Sequence, residues 1–245
     1  MLVSIIMPYF RKKKYVKQSI MSVLSQSYQN FELILIYDDD NSDELAFINQ
    51  LIKLDNRIKL VVNKKNLGAG YSRNEGIKIS KGLYVAFLDG DDIWNKEKLS
   101  KQINSMKKNN LSITHTSYEI INEDGKKIGE RIAKDMNFKK LIKSCDIGLS
   151  SVVALKEIFN DKLKFPNLKT KEDFVLWLKI TENGQNINAI DERLLQWRKS
   201  SNSLSSSTFR KLVDGYNVYR KYLNYGILKS IYCLFVLSVN FLRKK

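Results

Sequence analysis

Leu83-Tyr84-Val85-Ala86-Phe87-Leu88-Asp89-Gly90-Asp91-Asp92-Ile93-Trp94 is the stretch on which the reading of this chain turns. A continuous apolar run of this length fits a strand buried on both faces, as in a parallel sheet, and it delivers three carboxylates at its carboxyl end. Strand geometry predicts Asp89 and Asp91 on one side, two positions apart. Hard oxygen donors of that kind suit Mg²⁺ or Mn²⁺ held jointly with substrate phosphates. Gly90 between them allows close backbone approach to a ligand, or a tight bend. The structural alternative is a solvated acidic turn that caps a helix starting near Asn95.

Upstream, Val3 to Met7 is a β-branched run that ends at Pro8, a residue without an amide donor, which predicts a buried strand stopping there. Val16, Ile20, Val23 and Leu24 recur at helical spacing, and Phe31 to Tyr37 then predicts a strand ending in Asp38, Asp39 and Asp40. A helix through Leu45, Ile48, Leu51 and Ile52, a strand from Ile58 to Val62 and a helix from about Gly70 lead back to the acidic stretch. This alternation predicts an α/β fold with a mostly parallel central sheet, whose ligands bind beyond the carboxyl ends of the strands. Pro8-Tyr9-Phe10, the Asp38 cluster and the residues after Leu88 are therefore expected to converge. Three adjacent aspartates cannot all be buried unpaired, so at least one should face solvent or Arg73.

Downstream of about residue 110 the rhythm changes to a strand-like run from Ser112 to Ile121, a turn at Glu123-Asp124-Gly125, then mixed short elements and a helix from Lys171 to Glu182. No Pro/Gly/Ser linker intervenes, so residues 111–205 should form an α+β half that extends the sheet begun by residues 1–110, with residues 206–245 as a C-terminal helical tail. A serine cluster, Ser200 to Ser207, reads as a loop before a helix at Phe209 to Tyr222.

The chain has 245 residues, 43% hydrophobic and 28% charged, which excludes disorder and a polytopic membrane protein. Its net charge of +16 points to an anionic partner. Two isolated cysteines, Cys145 and Cys233, suggest neither a disulfide framework nor a zinc cluster. The amino terminus lacks the features of a secretory signal, so a cytoplasmic location is expected. Lone His115 in a strand-like run is read as a core or surface residue, and Trp94 and Trp177 as packing anchors.

Four ordered segments resemble family 2 glycosyltransferases: Val3 to Phe10, Ser22 to Tyr28, Asn66 to Gly76 and Phe87 to Trp94. Lys171 to Leu178 resembles the acidic helix start that carries the catalytic base there, and Cys145 to Val152 with Phe165-Pro166-Asn167 resembles bacterial teichuronic acid, lipopolysaccharide and capsule enzymes. The resemblance implies a GT-A (Rossmann-like) fold, a nucleotide-diphosphate sugar donor such as a UDP-sugar, a divalent cation and transfer with inversion to a hydroxyl of a glycan or lipid-linked oligosaccharide. It implies Asp91 as metal ligand, with Asp89 on a metal-bound water or the ribose, and Asp173 as base. It also implies a donor site drawn from Pro8, Tyr9, Phe10, Asp38, Asp39, Gly68, Arg73, Asp89, Gly90 and Asp91. Asp38-Asp39-Asp40-Asn41 departs from the family's usual Asp-Asp-Gly-Ser, which leaves open whether Asp38 or Asp39 reads the base. Arg73 would neutralise phosphate or orient a donor-site carboxylate. Acids in the first turn of a helix also favour the macrodipole, the structural alternative for Glu172 and Asp173.

From Ser230 to Asn240 the chain is uncharged and largely apolar, flanked by Lys229 and by Arg243-Lys244-Lys245, and too short to span a bilayer. That is the composition of a helix in the interface of an anionic inner-membrane surface. A helix that packs on the core or pairs two copies in a homodimer is the alternative. A sugar nucleotidyltransferase would share the metal and nucleotide but release pyrophosphate. A noncatalytic basic module is the third class; dispersed basic residues and the absence of an aromatic stacking motif argue against nucleic acid.

Overall fold

The computed structural model describes residues 1–200 and 208–242, so most of the serine cluster and the terminal Arg243-Lys244-Lys245 lie outside the described residues. In chain order the elements are β1 (Val3–Tyr9), α1 (Lys13–Leu24), β2 (Phe31–Tyr37), α2 (Ser42–Leu51), β3 (Ile58–Val62), α3 (Ala69–Ile79), β4 (Tyr84–Phe87), β5 (Ile93–Trp94) and α4 (Lys98–Lys108). There follow β6 (Ile113–Ile121), β7 (Lys127–Arg131), α5 (Phe138–Leu141), β8 (Val153–Leu155), α6 (Glu172–Glu182), β9 (Asn188–Arg198), α7 (Thr208–Asn217), a π-helical turn at Val218–Tyr222 and α8 (Ile227–Leu242).

The sheet runs β3-β2-β1-β4-β8-β6-β9-β5, with β7 paired to β6 outside that path. Its first four strands are parallel. β8 then joins β4 and β6 antiparallel, and β6 pairs β9 in parallel, so the second half continues the sheet of the first. Every residue of β1 and β2 is buried, which is why these strands read as apolar runs broken only by Ser4 and Glu32, whose side chains hydrogen-bond to each other at 2.6 Å. Alternate residues feed two cores. Ile6, Val85 and Phe87 face the side covered by Ile77 of α3 and by Phe174, Trp177 and Leu178 of α6. Ile5, Met7 and Ala86 face Val16 and Ile20 of α1, Ile48 of α2 and Leu99 of α4.

β1 continues through Pro8 to Tyr9, past the predicted stop. The reason lies in the pairing. The Tyr9 carbonyl accepts from Asp38 on the β2 side, while the Ile6 carbonyl accepts from Leu88 on the β4 side. In a parallel strand alternate residues point their amide groups to alternate neighbours, so the Pro8 nitrogen faces the β4 side, beyond the last β1–β4 pair, Ile6 with Phe87. The missing donor costs no ladder bond.

α3 can lie close on β1 because Gly76 has no side chain: a Cβ there would sit 2.5 Å from Cγ2 of the fully buried Ile6. Gly76→Ala should therefore cost about 1–3 kcal/mol by overpacking, read as a lower urea midpoint with an unchanged slope. A second strained position has the opposite sign. Lys98 of α4 is fully buried, its Nζ has no hydrogen-bond partner among the described residues, and it lies 4.1 Å from the centroid of the Trp94 ring. Burial pushes its ammonium pKa well below the ordinary lysine value. The unfolded chain thus binds more protons than the folded one between the two pKa values, and stability rises with pH across that window. Lys98→Met should stabilise by roughly 1–3 kcal/mol at neutral pH and abolish that alkaline rise, both measured by chemical denaturation.

α8 is an apolar helix, but among the described residues no helix is long and apolar enough to cross a membrane. His115 is fully buried, its Nε2 within 3.0 Å of the Lys134 carbonyl, in keeping with a core residue.

Candidate active site

The predicted convergence at the strand ends is realised, with different internal partnerships from those the spacing suggested. β4 ends at Phe87, and Asp89 to Asp92 form a turn in which the Asp92 amide donates to the Asp89 carbonyl at 3.1 Å. Strand periodicity therefore does not govern Asp89 and Asp91, and their side chains go to different cations. Asp89 accepts from Arg73 Nη2 at 2.7 Å, and Asp91 from Lys12 Nζ at 2.5 Å. Burial raises the Asp91 pKa, and Lys12 opposes that shift. Gly90 does not have a left-handed φ, and a Cβ there would meet the Lys12 stem only at 3.6 Å. The expected tight bend is thus not what requires glycine here.

Asp92 is the anchor of this turn. It is fully enclosed, accepts the Ser150 hydroxyl at 2.6 Å and the Arg198 amide at 2.8 Å, and has its pKa raised well above the usual carboxylate value, first by burial and then by Asp91 and Asp89. Ser150 also receives the Asp89 amide at 3.1 Å, and its carbonyl accepts the Trp94 indole at 2.8 Å. The Arg198 guanidinium is spent on the carbonyls of Asp91, Asn122 and Glu123 and on Gln18. It fastens the acidic turn to distant loops.

At the end of β2 the three aspartates separate by role. Asp38 is buried and its carboxylate is fully engaged: Oδ1 accepts from Asn63 at 2.7 Å and the Leu67 amide at 2.9 Å, and Oδ2 from the Gly68 amide at 2.8 Å. It holds the loop into α3, where Gly68 takes a left-handed φ of 89° that favours glycine. Asp39 is also buried, but among the described residues its Oδ2 accepts no hydrogen bond; Arg11 Nε lies 3.6 Å away. Asp40 faces solvent, as the crowding argument required, and Arg73 engages none of the three. Beside Asp39, the Tyr9 and Tyr37 rings stack at 5.5 Å with 15° between planes, and Tyr9 donates to Glu44. Pro8 lies within β1 just before this pair, and Phe10 is exposed beyond it.

Arg73 joins the halves of the site. It is buried on α3, 5.4 Å from the Phe165 ring centroid, and its fork reaches Asp89 on one side and Glu172 Oε1 at 2.7 Å on the other. The two carboxylates hold the guanidinium charged despite its burial. Glu172 and Asp173 open α6 behind Lys171, whose φ of 63° is left-handed. The Asp173 carboxylate caps the Phe174 amide at 2.7 Å, and its pKa is pushed up to about 6, first by burial and next by the Glu172 charge. Sequence reading left Lys12, Ser150 and the bridging role of Glu172 unassigned. Glu172 carries a local signal in its place next to Asp173 at a helix start, and Ser150 one in its place within the Cys145 to Val152 run; Lys12 carries none.

Residues 4–161 match the family described as Glycosyl transferase family 2. The chain is 39% identical over 236 residues to UDP-Glc:alpha-D-GlcNAc-diphosphoundecaprenol beta-1,3-glucosyltransferase WfgD of Escherichia coli, covering 95% of this chain and 91% of that one. It is 29% identical over 246 residues to the putative teichuronic acid biosynthesis glycosyltransferase TuaG of Bacillus subtilis, covering 100% and 97%. Among solved structures, S. aureus TarS 1-349 in complex with UDP-GlcNAc aligns with a TM-score of 0.75 at 21% identity over 96% of this chain and 70% of that one.

Proposed function

We propose, for a chain that belongs to glycosyl transferase family 2 and has the GT-A fold, that it moves a hexosyl group from a UDP-sugar to a hydroxyl of an N-acetylglucosamine carried on a diphospho-polyprenol, with inversion. The observation that carries this reading is the 39% identity with WfgD across almost the whole length of both chains. Asp39 supplies the acceptor for a nucleobase amide, because it alone at the end of β2 keeps a buried oxygen free while Asp38 is used up internally. The stacked Tyr9 and Tyr37 rings wall that position.

Transfer is a single displacement. The acceptor oxygen bonds to the anomeric carbon as the bond to the diphosphate breaks, the nucleoside diphosphate departs, and the hydroxyl proton passes to Asp173. A carboxylate with a pKa of about 6 is ionised at neutral pH yet more basic than an ordinary aspartate, which suits it to that transfer. Arg73 fixes Asp89 and Glu172 and hence the spacing between donor and acceptor sides.

A divalent cation fits the acidic turn in one way only. Among the described residues no three carboxylate, histidine or cysteine side chains converge to cage an ion, so Asp91 and Asp89 would hold it with oxygens from the donor, giving up the Lys12 and Arg73 donors they now accept from. That Asp91 already rests against the Lys12 ammonium supports its preference for positive charge. The cation would stabilise charge developing on the diphosphate.

The test is turnover with UDP-glucose and a synthetic N-acetylglucosaminyl-diphospho-lipid, with the anomer of the product assigned by NMR. A β-linked disaccharide and free UDP are expected. Absence of transfer from any UDP-sugar, or a product retaining the donor's anomeric configuration, refutes the reading.

A further inference from the structure

We infer that α8 lies flat on an anionic phospholipid surface and carries the active site to a membrane-borne acceptor; the inference rests on the proposed function only for the reason the enzyme should be there. One stripe of α8 belongs to the fold: Ser230, Cys233 and Leu237 are buried and Leu234 packs with them. The opposite stripe, Leu228, Ile231, Tyr232, Phe235 and Leu242, is 52–85% exposed and covers the length of the helix with no charged residue after Lys229. Isolated exposed apolar residues are ordinary; a continuous stripe on one helix marks an interaction surface.

Charge selects the occupant. Exposed Arg220, Lys221 and Lys229 stand at the amino-terminal end of the stripe, and exposed Lys140 and Lys143 at the other, where Asn240 donates to the Lys143 carbonyl at 2.9 Å. The sequence continues there with Arg243-Lys244-Lys245. An apolar stripe between cationic ends matches hydrocarbon below anionic headgroups. A second copy would bring like charges together at both ends, and α8, with 16 residues, is shorter than the roughly 20 a span needs.

The helix is also close to the chemistry. Thr170 at the start of the base-bearing turn donates to Asp214 of α7. On the same helix a Cβ at Gly215 would sit 2.8 Å from Leu234 of α8 and 3.6 Å from Lys171. α7 alone therefore separates the lipid-facing helix from Glu172 and Asp173, so a chain docked through α8 holds its acceptor side next to the surface.

The full chain should cosediment with vesicles of phosphatidylethanolamine and phosphatidylglycerol and not with phosphatidylcholine alone. Ile231→Glu with Phe235→Glu, both at exposed positions, should weaken that partition at least about tenfold while leaving turnover of a water-soluble acceptor glycoside unchanged. Unchanged partition, or equal binding to neutral vesicles, overturns the inference without touching the transferase reading. Should the double variant misfold, Phe235→Cys in a Cys145→Ser background, labelled with a polarity-sensitive dye, reports directly. A blue shift on adding the anionic vesicles is expected, and no shift overturns the inference. A dimer in sedimentation equilibrium that the double variant dissolves, with no vesicle binding, assigns the face to a second copy and also overturns it.

Discussion

Asp173→Asn should lower sugar transfer about 10²–10⁴-fold while leaving UDP binding intact, because the side chain keeps its shape at the start of α6 and loses only the capacity to take a proton. Thermal stabilisation by UDP checks the second half of that expectation. The pH dependence is a sharper test. Asp173 has a pKa of about 6 and, in the proposed role, takes the proton in its ionised form, so kcat/KM should be flat above that pH and fall about tenfold per unit below it. Glu172 is one of the charges that lifts the pKa, so Glu172→Gln should move the acidic limb to lower pH. A variant that merely disturbed packing would lower the plateau without moving the limb. Activity of Asp173→Asn within a few-fold of the wild type would remove Asp173 from the mechanism.

Arg73→Met should be the most destabilising single change in the site. It strips the counter-charge from Glu172, whose side chain is 13% exposed, and from Asp89, which is 33% exposed. Breaking a buried ion pair from one side costs about 3–5 kcal/mol, and solvent screening at Asp89 leaves most of that cost on the Glu172 side. For a chain of this size that is a fall of roughly 6–20 °C in Tm, measured calorimetrically. Arg73→Lys should recover only part of it, since an ammonium cannot present a planar fork to two carboxylates at once. A Tm within about 2 °C of wild type for Arg73→Met would show that the bridge contributes little to the fold.

These two sites differ in how far the sequence announced them. β1, β2 and β4 were legible because burial on both faces leaves largely apolar runs, and β3 from its apolar majority at an edge; Phe31–Tyr37 and Ile58–Val62 fall where the pattern placed them. α6 was legible from its spacing, and its acids from their place at a helix start. Two strands of the second half were not. β8 is three residues long, and β9 carries Asp191-Glu192-Arg193 in its middle, which breaks any alternation and left the strand unread. Both are strands because their neighbours supply partners, a property of the assembled sheet. The same holds for the site. Its residue types and their convergence followed from topology, but the pairings of Lys12 with Asp91 and of Arg73 with both Asp89 and Glu172 join positions far apart in sequence. Spacing could not announce them, and it misled where the acidic turn was treated as a continued strand.

The placement of β5 bears on how enzymes of this build diversify. The acidic turn leaves the sheet at β4 and re-enters it at β5, which hydrogen-bonds to β9 through Ile93 with Gln196 and Trp94 with Leu195. The acidic turn is therefore stapled at its far end to a strand of the other half. Chimeras that splice one relative's acceptor-selecting portion onto another's donor portion inherit a mismatched staple unless both strands travel together. Graft boundaries that keep β5 and β9 from one parent should yield working hybrids, and boundaries between them should not.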